Sequence, residues 1–174
     1  EMCIRDRVKN RNEKTYLFNP SNVNQEPKII YDRNYQDRYS DPGSFLTERN
    51  IYNKNVLKIE SNSMILIGDG YSEKGQFPFI DKLSLNDFSS NRIYKSSYTD
   101  KLEDILDFDT KKNQLLVRIE SKSDYPNYYF KSLNGRRINK ITDFNNPFDN
   151  LNQVDKEVIS YKRNDGVELS GVLY

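Results

Sequence analysis

Histidine is absent from this 174-residue chain, and cysteine occurs once, as Cys3. Without an imidazole no Ser-His-Asp triad can be assembled, because the serine proton needs a base of near-neutral pKa to receive it. No Gly-x-Ser-x-Gly nucleophile elbow occurs either. With the one thiol at the start of the chain, the remainder can form no disulfide, cysteine nucleophile or cysteine-ligated zinc. What remains is carboxylates and cations. Gly68-Asp69-Gly70 lacks the third glycine and the following helix of a phosphate loop, so none is expected there. Asp104, Asp107 and Asp109 lie close in sequence but lack the glycine and distal glutamate of a calcium loop, and are expected to decorate a solvated turn. Glu60, Glu120 and Glu157 fall at strand ends, within reach of a cleft. Arg118, Glu120 and Lys122 alternate with Val117 and Ile119, which places them on one face of a strand. No cofactor or metal is expected.

Strands must position these groups, because helical periodicity is almost absent. Alternating or aromatic-rich runs predict strands over 15–18, 28–32, 56–60, 64–68, 78–85, 92–96, 115–120, 128–133, 138–141, 157–163 and 168–174. Residues 101–108 could make one helical turn through Leu102, Ile105 and Leu106, but their flanks favour a strand. The connecting residues are Asn, Asp, Gly, Ser and Pro, as turn chemistry requires. Hydrophobic residues make up only 35%, so the 13 Tyr and 9 Phe must supply much of the buried area. Charged residues reach 30% with a net charge of +1. The longest aliphatic run, Met64 to Ile67, is far short of the ~20 residues of a membrane-spanning helix. No basic face is set out to track phosphates, so neither membrane nor nucleic acid is an expected partner. Lys111-Lys112 and Arg136-Arg137 read as charged turn residues.

A weak internal repeat organises the middle of the chain. PFIDKLSLNDFSSNRIYKS (78–96) parallels NYYFKSLNGRRINKITD (127–143): an aromatic-rich strand ending in Leu, a polar turn, then a short strand containing Ile. Each pair follows another apolar strand, and KTYLFNPSNVNQEPKIIYD (14–32) reads as the tail of a third copy. The separation of Phe79 from Tyr128 falls within the ~40–50 residues of one four-stranded propeller blade. Asn134-Gly135 predicts a type I′ hairpin between 128–133 and 136–141. Asp165-Gly166 predicts a two-residue turn, with Arg163 facing Glu168, Ile159 facing Val172 and Val158 facing Leu173. A hairpin with one bare edge is expected to be part of something larger.

From Glu13 onward the chain resembles the glutamyl endopeptidase-like branch of the prolyl oligopeptidase superfamily of serine peptidases. EPKIIYDRNYQDRYSDPGSF (26–45), FPFIDKLSL (77–85), RIESKSDYPNYYF (118–130), ITDFNNPFDNL (141–151) and KEVISYKRNDGVELSGVLY (156–174) carry the likeness in order. It implies an all-β fold of a partial β-propeller, its last two to three blades, followed by the first β-hairpin of a truncated α/β-hydrolase domain. Residues 8–153 would be the blades and 154–174 the start of the peptidase domain. Residues 1–7 (EMCIRDR) are similar to a translated sequencing adapter and are set aside as a non-native segment. The family's serine, aspartate and histidine all lie in the hydrolase domain, beyond Tyr174, so no catalytic residue transfers to this sequence. The resemblance implies a substrate-gating portion that is itself non-catalytic, with a peptide as substrate of the full-length protein. Arg118 and Glu120 could then line the channel or the domain interface, the alternative being a solvent-facing charged edge. The alternative is a non-enzymatic β-propeller binding module.

Overall fold

The computed structural model describes residues 2–8, 11–22, 24–148 and 154–174. It is all-β: eighteen strands and, among the described residues, no α-helix. The first sheet holds β1 (Met2–Val8), β2 (Asn12–Phe18) and β3 (Lys28–Asn34). Next come β4 (Ser44–Phe45), β5 (Thr47–Arg49), β6 (Asn55–Leu57), β7 (Ile59–Glu60) and β8 (Ser63–Gly68). A small hairpin, β9 (Tyr71–Ser72) and β10 (Gly75–Gln76), precedes β11 (Phe79–Ser84) and β12 (Ser90–Lys95). The second sheet runs β12-β11-β8-β4, with β7 sharing the β4 edge of β8. The third is a plain antiparallel meander: β13 (Lys101–Asp109), β14 (Gln114–Ser121), β15 (Asn127–Ser132) and β16 (Ile138–Lys140). A separate hairpin, β17 (Glu157–Lys162) with β18 (Glu168–Leu173), follows.

The sequence repeat has a structural counterpart. β8-β11-β12 and β14-β15-β16 are neighbouring antiparallel strands joined in the same order, with β4 and β7 on the first edge of one and β13 on the first edge of the other. The two sheets pack against each other. Ile65, Ile80 and Tyr94 of the second sheet form one core with Phe108, Leu115, Val117 and Ile119 of the third. The other face of the second sheet, through Met64, Leu66 and Leu83, packs with Ile30 and Tyr31 of β3. β8 is therefore buried on both faces, which explains its continuous apolar run. β14 is buried on alternate residues only, Leu115, Val117 and Ile119. Each such side chain contributes ~1.5–3 kcal/mol by leaving water.

Several local expectations are corrected. β1, which takes in residues 2–7 of the segment set aside as non-native, pairs along its length with β2, from Met2 opposite Phe18 to Val8 opposite Asn12. The closing hairpin is one residue out of the expected register: Val158 faces Val172, Ile159 faces Gly171 and Lys162 faces Glu168. The Gly166 amide donates to the Arg163 carbonyl at 2.8 Å, and the Arg163 amide to the Val167 carbonyl at 2.9 Å. The loop thus has three residues, with Gly166 at φ +87° in the left-handed region that closes it. Arg163 turns back to Asp165, with Nε 2.8 Å from Oδ1, and leaves Glu168 to Lys162 at 3.4 Å. Asn134-Gly135 likewise sits in a longer loop than a type I′ turn, because Ser132 pairs with Arg137 and the Leu133 amide is taken by the Asn113 carbonyl at 2.8 Å. Residues 101–109 are strand, as their flanks favour, whereas the short β4 and β5 have no counterpart among the expected strands. The expected boundary at 153/154 falls beside residues 149–153, outside the described residues.

Candidate functional site

Arg118 and Glu120 lie on the face of β14 turned away from the core, opposite to buried Val117 and Ile119. Register places Arg118 beside Asp104 on β13 and Tyr128 on β15. Its Nε and Nη2 donate to Asp104 Oδ2 at 3.1 and 2.6 Å, and this bond holds the guanidinium pKa above its ordinary value. Arg118 is thus a cross-strand ion pair and presents no free charge to a cleft. Glu120, opposite Leu102, lines a groove of about 370 Å3 with Asp100, Asp124, Lys122 and Tyr125. Lys122 has left the strand and donates to Asp155 at 2.6 Å, tying the β14–β15 loop to the lead-in of the closing hairpin.

The other singled-out carboxylates are structural. Glu60 accepts from the Thr110 hydroxyl at 2.8 Å and lies 3.5 Å from Lys58, linking the second sheet to the β13–β14 loop. The Thr110 bond is the main cause of its lowered pKa. Asp104 and Asp107 belong to β13, not to a solvated turn. Asp109 fits that reading better, accepting from the Lys111 and Lys112 amides at 3.0 Å each. Among the described residues no group of three or more His, Cys, Asp or Glu is placed to hold a metal ion. Glu157 is exposed at the start of β17.

The most buried polar cluster was missed from sequence. Tyr94 on β12, Glu103 on β13 and Lys131 on β15 meet between the second and third sheets. The Tyr94 hydroxyl donates to Glu103 Oε2 at 2.7 Å. Lys131 Nζ donates to Glu103 Oε1 at 2.8 Å and to the Tyr94 hydroxyl oxygen at 2.7 Å, and lies 4.5 Å from the Tyr98 ring centroid. Burial first, then the bond to Glu103, pushes the Tyr94 phenol pKa well above its ordinary 10. The carboxylate and ammonium neutralise each other and every contact is made, so the cluster staples two sheets and has no atom turned to a substrate. Lys131 was hidden by an inversion of the usual pattern: on β15 it is 7% exposed while neighbouring Phe130 is 42% exposed. The available signal was that Lys131 shares the strand phase of buried Asn127.

No protein-family model matches the chain, and no solved structure matches it. Among curated proteins it is 32% identical over 180 aligned residues to a protein from Oryza sativa subsp. japonica named probable glutamyl endopeptidase, chloroplastic. It is 30% identical over 181 to a protein of the same name from Arabidopsis thaliana. Both alignments cover 95% of this chain and 19% of the relative, so the chain spans about a fifth of the length of the curated relatives it matches. These relatives suggest a peptidase family: over nearly its whole length, the chain is similar to one stretch of proteins named as glutamyl endopeptidases.

Proposed function

We propose that this chain is a non-catalytic portion of a serine peptidase of the prolyl oligopeptidase superfamily, in its glutamyl endopeptidase-like branch. Residues 8–153 would be the C-terminal blades of a β-propeller, and 154–174 the opening hairpin of an α/β-hydrolase domain. Residues 1–7 would be non-native. The observation that carries this reading is the repeated four-strand-wide antiparallel sheet, stacked face to face, in a chain whose relatives are named endopeptidases. Stacked meanders of this kind are how propeller blades bury their faces.

In this reading the full-length protein hydrolyses peptides by acyl transfer, after acidic residues as the relatives' name says of them. The sheets would gate the approach of substrate and support the chemical domain. Arg118 and Glu120 would border the channel or the domain interface. Complete absence of histidine supports assigning the chemistry elsewhere in the polypeptide. The test is to read the frame past Tyr174 and assay the encoded protein with a serine-reactive fluorophosphonate and a glutamate-containing peptide. A Gly-x-Ser-x-Gly followed by Asp and His, with labelling and cleavage, is the expected result. A further β-sheet repeat in place of those residues, with no labelling, would favour a binding module instead.

A further inference from the structure

The fold brings together two basic pairs that are far apart in sequence. Lys111-Lys112 belongs to the β13–β14 loop and Arg136-Arg137 to the β15–β16 loop. In a four-stranded antiparallel meander these loops share one end, and here they are joined by the bond from the Leu133 amide to the Asn113 carbonyl. Between them lies a cleft of about 620 Å3, walled by Ile93 and Leu133 and rimmed by Lys112, Arg136 and Arg137, with no carboxylate in its lining. Lys112 has Asp109 at 3.5 Å, but the two guanidinium groups have no partner among the described residues. The groove at the opposite end of the same sheet is lined instead by Asp100, Glu120 and Asp124 with Lys122, and Asp124 is held there by Lys101 at 3.0 Å.

We propose that the cleft at the β13–β14 and β15–β16 end is a docking site for an acidic segment of a polypeptide. Two unpaired guanidinium forks match carboxylates in bidentate geometry, with Lys112, shared with Asp109, at the rim. The aliphatic walls offer cover for side-chain stems, whereas no aromatic ring stands in the lining for a base to stack on. The chain's net charge of +1 also gives no continuous surface for a phosphate backbone. This end is remote from the closing hairpin, which meets the sheet through Lys122 at the other end. The inference is therefore independent of the peptidase reading and holds equally for a binding module.

The test uses the full 174-residue chain and a fluorescein-labelled, end-capped peptide of four glutamates spaced by alanine, followed by fluorescence polarisation. Its all-glutamine counterpart and an oligothymidylate of equal charge serve as comparisons. Saturable binding of the glutamate peptide is expected, with the glutamine peptide silent and the affinity falling as salt rises. Arg136→Glu/Arg137→Glu, both exposed loop positions, should weaken it at least about tenfold. Lys74→Glu, a charge reversal in the β9–β10 turn, should leave it unchanged. No binding, binding that survives the double reversal, or equal or tighter binding of the oligothymidylate would overturn the proposal.

Discussion

β8 and the closing hairpin contain much the same kind of residue and meet opposite fates. Met64, Ile65 and Leu66 are 1%, 8% and 1% exposed, because a sheet lies on each side of them. Val158, Tyr161 and Val172 are 72%, 54% and 53% exposed, and no residue of their hairpin joins either buried cluster. Apolar pattern makes a strand, but only a neighbouring element makes a core. β17 and β18 hold each other by their ladder and by Lys162–Glu168, which is a marginal arrangement for a two-stranded ribbon. The stacked sheets should behave as one cooperative body and the hairpin as an appendage to it.

Perturbing the body should be costly. Glu103→Ala leaves the Lys131 ammonium buried and unpaired, and should lower unfolding stability of the chain by ~3–5 kcal/mol in urea titration. Replacing both charges, as Glu103→Leu/Lys131→Met, should recover most of that loss. Leu115→Ala, at a fully buried position, should cost ~2–5 kcal/mol in the same assay. Gly70→Ala should also destabilise by more than ~1 kcal/mol: its φ is +65° and an added Cβ would stand 1.9 Å from the Phe77 carbonyl oxygen. By contrast Val158→Ala in the hairpin should change stability by no more than ~0.5 kcal/mol. If Val158→Ala matched Leu115→Ala, the division between body and appendage would fail.

Much of this division was readable in the residues, and some of it was not. Continuous apolar character at Met64–Ile67 and alternation at Val117–Glu120 marked the strands, since side-chain period follows directly from the pleat. The polar runs between them gave the connections. Registers at Asp165-Gly166 and Asn134-Gly135 were misread because a glycine in a left-handed conformation closes two-, three- and four-residue loops alike, and the choice depends on the ladders on either side. Leu133, for example, is claimed by Asn113 of the neighbouring hairpin. The Tyr94–Glu103–Lys131 cluster was invisible for a different reason. Its members lie on three strands of two sheets, so only tertiary packing pairs them. The basic cleft was hidden the same way, its two pairs each reading alone as turn charge.

Solution pH offers a finer probe of the same comparison. Tyr94 has a folded pKa raised above its ordinary 10, so its contribution is fully present below pH 10 and is lost as pH rises beyond it. Stability of the chain should fall above pH 10 more steeply than that of Tyr94→Phe, by one proton or about 1.4 kcal/mol per pH unit. Equal slopes would mean that the phenol is not enclosed. On the acid side the sign reverses. Glu60, held low chiefly by Thr110, contributes above its ordinary 4.5, and its contribution fades as pH falls through the lowered value. Thr110→Val should flatten that acid dependence slightly, with both profiles read by thermal melting.

The central claim is that the stacked sheets form the stable body and the exposed 157–173 hairpin is an appendage to it, whose faces, in the proposed reading, a further part of the protein would cover. Hydrogen–deuterium exchange, run on the 174-residue chain and on the longer encoded protein, tests it most directly. The account predicts that amides of β8 and β14 are strongly protected in both, and that those of β17 and β18 exchange freely in the short chain but become protected in the long one. Hairpin amides as protected as those of β14 in the short chain, or equally unprotected in both, would contradict it.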